Sequence, residues 1–283
     1  LSSGATLSIV SLNLHCGLSA SGQPFDVAAV LTGLDADIIA VQEAWWTTGD
    51  QDDPGASSGP GGPGGPGGPG GPGGPGADGL TDPVADAARA RGAQLFRTEL
   101  STGITLAELN IAPRSERGNW GIAVLTKLPV TSHEVLNLGQ VEGDFVGRAA
   151  LICSVTAPGG WPLRMVCTHL SPRLTSPAQL SRLTRHLAVT PGPTVIAGDL
   201  NMPRLATWMA GGYRPMVRGR TFPAERPVIQ LDHLLASPGL TCLAATVLPP
   251  VGSDHLPVGG RFSRSRQAVS GALPGTPRQV DRG

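Results

Sequence analysis

The feature that most narrows the possible folds is a series of short apolar, largely β-branched runs that each stop at a polar residue. Leu7 to Leu14, Ile38 to Val41, Asn119 to Thr126, Gly147 to Val155, Pro162 to Thr168 and Thr194 to Asp199 all have the length and composition of strands. Further strands are predicted over Val228 to Leu235, Thr241 to Leu248 and near Gly259 to Phe262. Helical periodicity is scarcer. It occurs in Pro24 to Leu34, after a Thr81 or Asp82 cap with Pro83 in the first turn, and after Ser176-Pro177 with Leu180, Leu183 and Leu187 inward. Many strands with few helices predict two sheets packed face to face, helices outside, and loops that converge at one end.

The chain has 283 residues, enough for a sizeable core, and Lys+Arg and Asp+Glu are both 21. That balance excludes a global basic field for nucleic acid but not a local patch. No apolar run is long enough to span a bilayer. The chain begins at Leu1 and shows no basic-then-apolar leader, so compartment is left open. A soluble monomer, cytoplasmic ahead of secreted, is expected. Cys16, Cys153, Cys167 and Cys242 lack Cys-x-x-Cys spacing and read as buried thiols, with a Cys153–Cys167 bridge left open. A Pro-Gly-Gly repeat fills Gly59 to Gly76, too short and too isolated for collagen. It reads as a low-complexity surface insert at 51–79 within a catalytic domain spanning 1–263, followed by a disordered tail at 264–283.

The strand ends carry the chemistry. After Thr194 to Gly198, an extended backbone points Asp199 and Asn201 to one side, roughly 7 Å apart, with Leu200 inward. Taken alone, Gly-Asp-x-Asn is as much a turn as a site. Asn13, Glu43, His169, Asp232, Asp254 and His255 also lie at or just past strand ends, although Glu43 alone reads as a solvated acid. Magnesium takes hard oxygen ligands, one or two carboxylates and waters, and Glu43 with the Asn13 carbonyl fits that habit. A structural zinc site would use several Cys or His ligands.

In this order, Leu12-Asn13, Val41-Gln42-Glu43, Thr168-His169-Leu170, Gly198-Asp199-Leu200-Asn201, Leu231-Asp232-His233 and Ser253-Asp254-His255-Leu256-Pro257 resemble the endonuclease/exonuclease/phosphatase (DNase I-like) superfamily. The resemblance spans Leu7 to Phe262. It implies an α/β fold: a four-layered α/β/β/α sandwich of two mostly antiparallel sheets with outer helices. It also implies metal binding by Asn13, Glu43 and Asp254, with Mg2+ or Mn2+ as cofactor. Asp199 is implied to orient or deprotonate the attacking water, and Asn201 to contact phosphate. His255, held by Asp232, and His169 are implied to act on phosphoryl oxygens. Phosphoester hydrolysis by in-line water attack needs these parts.

The implied function is that of a metal-dependent phosphodiesterase or endonuclease, on nucleic acid or on a lipid or small-molecule phosphodiester. The alternatives are a phosphatase, a sphingomyelinase-like lipid phosphodiesterase and, in a different class, a non-catalytic phosphate-ligand binding module. The sequence departs from the family where His15 stands in place of an aspartate, leaving it a metal ligand, a phosphate contact or a polar neighbour. The family's tyrosine near Asn119 is also missing, since Tyr213 is the sole tyrosine. Arg148 is either a site residue or a solvated loop arginine. His133, His186 and His233 have no assigned role. Specificity is expected in the loops Glu99 to Gly118 and Met202 to Pro227.

Overall fold

The computed structural model describes residues 5–47, 82–144, 146–172 and 176–265. The insert at 51–79, Thr81 and residues 266–283 of the expected tail lie outside the described residues.

Two six-stranded sheets form the centre of the molecule. The first contains β1 (Leu7–Asn13), β2 (Ile38–Thr47), β3 (Gln94–Thr105), β4 (Arg117–Thr126), β11 (Leu240–Val247) and β12 (Val258–Arg264), in the order β11-β12-β1-β2-β4-β3. The second contains β5 (Val130–Gly139), β6 (Arg148–Thr156), β7 (Pro162–His169), β8 (Thr194–Asp199), β9 (Arg214–Pro215) and β10 (Asp232–Ala236), in the order β5-β6-β7-β8-β10-β9. Among the described residues, only β1/β2 and β7/β8 pair in parallel. Helices α1 (Val27–Gly33) and α2 (Pro83–Arg91) cover the first sheet, and α3 (Ser176–Val189) covers the second. This is the expected four-layered α/β/β/α sandwich.

Strand alternation makes the layers. Ile9 and Ile38 face the second sheet, where they join Leu151, Met165 and Val195, while Val10 and Ile39 face the helices Val27, Leu31 and Val84 occupy. On the opposite outer face Leu180, Leu183 and Leu187 of α3 pack on Ile152, Val166 and Ile196. Each such fully buried leucine contributes about 1.5–3 kcal/mol by leaving water. Cys153 lies opposite Met165 and Cys167 opposite Leu151, so these thiols are not register partners, and both are free and buried.

Several boundaries differ from expectation. Helix α1 begins at Val27 because Asp26 caps it, its carboxylate accepting from Ala29 N at 2.9 Å, and Pro24 lies outside in a bridge with Leu18. Of the two caps expected for α2, Asp82 takes the position, its carboxylate accepting from Ala85 N at 2.9 Å. The strand expected from Val228 starts only at Asp232, since the Leu231 and Asp232 amides are taken by the Thr221 hydroxyl before sheet pairing begins. Strand β2 continues past Glu43 to Thr47, and β12 reaches Arg264. The segment Glu99 to Gly118 is only partly loop, because β3 and β4 claim both its ends.

Gly198 governs how β7 and β8 meet. A Cβ there would stand 1.9 Å from the Thr168 carbonyl oxygen, so no larger residue fits at this register. The close approach sets His169 opposite Asp199. Gly198→Ala is therefore expected to lower stability by about 2–3 kcal/mol, the scale of an overpacked core. A urea melt checks this, and a variant as stable as the wild type would show that the strands separate freely.

Candidate active site

The ends of β1, β2, β7, β8 and β10 converge on a cleft of about 320 Å³. Asn13 joins the two sheets there. Its side-chain amide donates to Glu43 Oε1 at 3.1 Å and to Asp199 Oδ2 at 3.2 Å, and its carbonyl oxygen accepts from His15 N at 2.9 Å. It thus orients two carboxylates that belong to different sheets.

Backbone strain collects at this cleft. His15, Cys16, Glu43 and Asn201 have φ of 44°, 55°, 50° and 50°, a region that residues with a Cβ seldom adopt. At Glu43 a bulge shifts the β2/β4 register between Val41 and Ala44 and re-aims the carboxylate inward. Asn201 lies one turn past the end of β8, so it reaches the Asp199 side of the cleft through a left-handed turn rather than by strand alternation. Its amide N–H donates to Asp199 Oδ1 at 2.9 Å, and its side-chain amide reaches His169 Nε2 at 3.2 Å and Leu170 O at 2.9 Å.

His255 lies between two buried carboxylates. His255 Nδ1 is 2.8 Å from Asp232 Oδ2, and His255 Nε2 lies 3.8 Å from Asp199 Oδ2. Burial alone would push the imidazole down, but the flanking carboxylates Asp232 and Asp199 outweigh it and raise His255 to about 10. Burial raises Asp199 to about 7, against the attraction of His255. His169 goes the other way. Burial, with Arg148 and His255 adding positive charge nearby, holds it well below the usual histidine range. His169 is therefore neutral, with Nε2 placed to accept from Asn201, and the cationic role in the cleft falls to His255.

Asp199, Asp232 and His255 bring ligand atoms within 4.8 Å of one another, close enough to suggest a metal cluster. The hydrogen bond between His255 and Asp232 argues otherwise, because an imidazolium has no lone pair to offer a metal. The lining fits a cation on the opposite side. Among the described residues lining the cleft, Glu43, Asp144, Asp199 and Asp254 face Arg148 and the His255 imidazolium, so this part of the lining is two positive charges short when all four acids are ionised. Asp232, buried beneath His255, deepens the deficit. Burial also raises Glu43, the state of a carboxylate taken from water without a full counter-charge. Glu43 and Asp254 are hard oxygen donors and suit a divalent ion. His15 Nδ1 points to Leu18 O at 3.1 Å and lies 3.7 Å from Asp254 Oδ1, a polar neighbour of this acid pair.

Arg148 is buried rather than solvated. Asp144 accepts from its Nε at 2.8 Å and Nη2 at 3.1 Å, the guanidinium lies 5.3 Å from the Trp120 ring centroid, and its Nη1 is buried with no hydrogen-bond partner among the described residues. Ser171 and Gln179 brace Asp144 and tie this corner to α3. Sequence reading named Arg148 but missed Asp144 and Trp120, whose only signal is their place beside strand ends. The loops expected to carry specificity supply Leu109, Ile111 and Phe222 to an apolar rim, whose other members, Val146 and Leu231, sequence reading did not single out. His233 is a core residue, bonded to Met202 O at 2.9 Å.

Comparisons with known proteins agree with this arrangement. A family model described as the Endonuclease/Exonuclease/phosphatase family matches residues 10–255. No curated protein sequence matches the chain. An endonuclease/exonuclease/phosphatase from Beutenbergia cavernae is 20% identical with a TM-score of 0.61, covering 92% of this chain and 72% of that one. The mannosyl-6-phosphatase of Bacteroides thetaiotaomicron is 12% identical with a TM-score of 0.62, covering 90% of this chain and 99% of that one. TDP2 from Caenorhabditis elegans is 16% identical with a TM-score of 0.57, covering 91% of this chain and 74% of that one. At these identities the structural likenesses establish the shared fold. With the family model spanning both sheets and every candidate site residue, the chain belongs to the endonuclease/exonuclease/phosphatase family and is a phosphoester hydrolase.

Proposed function

We propose that the chain is a phosphodiesterase dependent on Mg2+ or Mn2+ and acting by in-line attack of water. The observation that carries this reading is the acidic lining of the cleft around a charged His255. A monoanionic diester meets less repulsion there than a dianionic monoester. Among the described residues that line the cleft, Arg148 is the one Lys or Arg, and Asp144 already holds it. Flanking phosphates of a long nucleic acid therefore find few contacts, which favours a small or lipid diester.

Glu43 and Asp254 would hold the cation, with Asn13 fixing the Glu43 carboxylate. When bound, the ion polarises the phosphoryl group and stabilises charge on the leaving oxygen. Asp199 takes the proton of the attacking water at a carboxylate oxygen. His255 Nε2–H donates to a non-bridging phosphoryl oxygen as negative charge develops, and Asp232 keeps that imidazole protonated and oriented. Asn201 holds Asp199 through its backbone amide and faces the phosphate beside it. Activity should rise as pH passes about 7, where Asp199 ionises, and fall as pH passes about 10, where His255 loses its proton.

A single panel tests this. It contains plasmid DNA, abasic-site DNA, RNA, sphingomyelin, phosphoinositides, bis(4-nitrophenyl) phosphate and 4-nitrophenyl phosphate, each with Mg2+, Mn2+ or chelator. A mannosyl-6-phosphatase shares this fold, so the monoester arm is included. Chelator-sensitive turnover, faster on diesters, is expected. Faster turnover of the monoester would make the chain a phosphatase, and no turnover on any substrate would leave a phosphate-binding module.

A further inference from the structure

A short turn just beyond the active site presents three large apolar side chains to solvent. Leu205, Trp208 and Met209 are 81%, 56% and 67% exposed, on and beside the 3-10 turn Ala206–Ala210. The turn is firmly seated. Thr207 and Ala210 are buried beneath it, Thr207 Oγ1 donates to Arg204 O at 2.7 Å, and Ala206 N donates to Pro203 O at 2.8 Å. Its outward residues therefore add nothing to the core, and their exposure calls for another explanation.

Basic residues flank this turn. The Arg204 guanidinium donates to Pro215 O at 3.0 Å and Val217 O at 3.2 Å, which brings Arg214 and Arg218 alongside, both exposed. Between residues 202 and 227 there are five arginines and one acid, Glu225, in a chain whose formal net charge is zero. Leu205 is only four positions along the chain from Asn201 in the cleft, a reach of at most about 14 Å.

We infer that this turn, with Arg214 and Arg218, is a docking surface for anionic phospholipid bilayers. Aliphatic Leu205 and Met209 suit the boundary between headgroups and acyl chains, and tryptophan favours that depth. The arginines complement anionic headgroups. Two flexible aliphatic side chains make a poor platform for stacked bases, which sets single-stranded nucleic acid aside. The inference does not depend on the proposed reaction, because bilayer binding is measured without turnover.

The test is co-sedimentation of the full chain with vesicles of phosphatidylcholine alone or mixed with phosphatidylserine. Two variants are compared, Leu205→Ser/Trp208→Ser/Met209→Ser and Arg214→Glu/Arg218→Glu. The wild type should sediment with the mixed vesicles, and each variant should bind them at least about tenfold more weakly, with turnover of a soluble diester unchanged. No binding to the mixed vesicles, or binding by either variant as tight as that of the wild type, overturns the inference. So does wild-type binding to single-stranded DNA in place of vesicles, or a dimer that the triple variant converts to monomer.

Discussion

Replacing His255 by glutamine should lower kcat/KM by at least about 10²-fold, the loss that follows removal of one preorganised donor from a transition state. Glutamine keeps an N–H donor of similar reach but cannot carry positive charge. The Asp232 carboxylate, fully buried, would then face an amide instead of the imidazolium now 2.8 Å away. Stability should fall as well, with a definite pH dependence. The folded state raises His255 from the ordinary histidine value of 6.5 to about 10. A raised histidine stabilises the fold fully below the unfolded value and loses that contribution as pH rises through the folded value. The stability gap between wild type and His255→Gln should therefore be widest near pH 6 and shrink as pH approaches about 10. Steady-state kinetics and urea melts at several pH values check both effects. A gap that widens with pH would mean that His255 is neutral in the fold.

Glu43→Gln should reduce turnover by at least about 10²-fold with the opposite effect on stability. Burial raises the Glu43 pKa, so its charged form costs stability above the unfolded value, and that cost disappears when the acid is protonated or replaced. In chelator at neutral pH, the amide variant should melt at or above the wild-type temperature. Metal added to the wild type should narrow that difference, since binding stabilises the folded state. Lost activity with equal or higher stability marks a residue kept for chemistry rather than packing. A variant both inactive and less stable in chelator would assign Glu43 a structural role instead.

Much of this was legible in the sequence because strands buried on both faces are apolar throughout. Ile38 to Val41 and Thr194 to Ala197 are such strands, and each leads straight to a site residue. The edge strand β11 was read, but the edge strands β3 and β5 hid themselves. β5 exposes His133 and Glu134, and β3 alternates irregularly along its exposed edge, so neither shows an apolar period. The site residues themselves were readable as polar groups at strand ends, and their order carried the family resemblance. Their geometry was not readable. Nothing local in the sequence announces the bulge that re-aims Glu43 or the left-handed turn at Asn201, because sheet pairing and the Asp199 carboxylate impose them. Nor does spacing reveal that Asn13 bridges two sheets through carboxylates separated by more than 150 residues. The neutral state of His169 also follows only from burial and from Arg148, whose own position depends on Asp144.

The central claim is that Glu43, in β2, and His255, in the loop between β11 and β12, act on one phosphoryl group. The most direct measurement is metal-stimulated hydrolysis of bis(4-nitrophenyl) phosphate by wild type, Glu43→Gln, His255→Gln and the double variant. If both groups stabilise one transition state, each single variant loses at least about 10²-fold and the double loses far less than the product of the two. Either single variant within about threefold of the wild-type rate would contradict the claim.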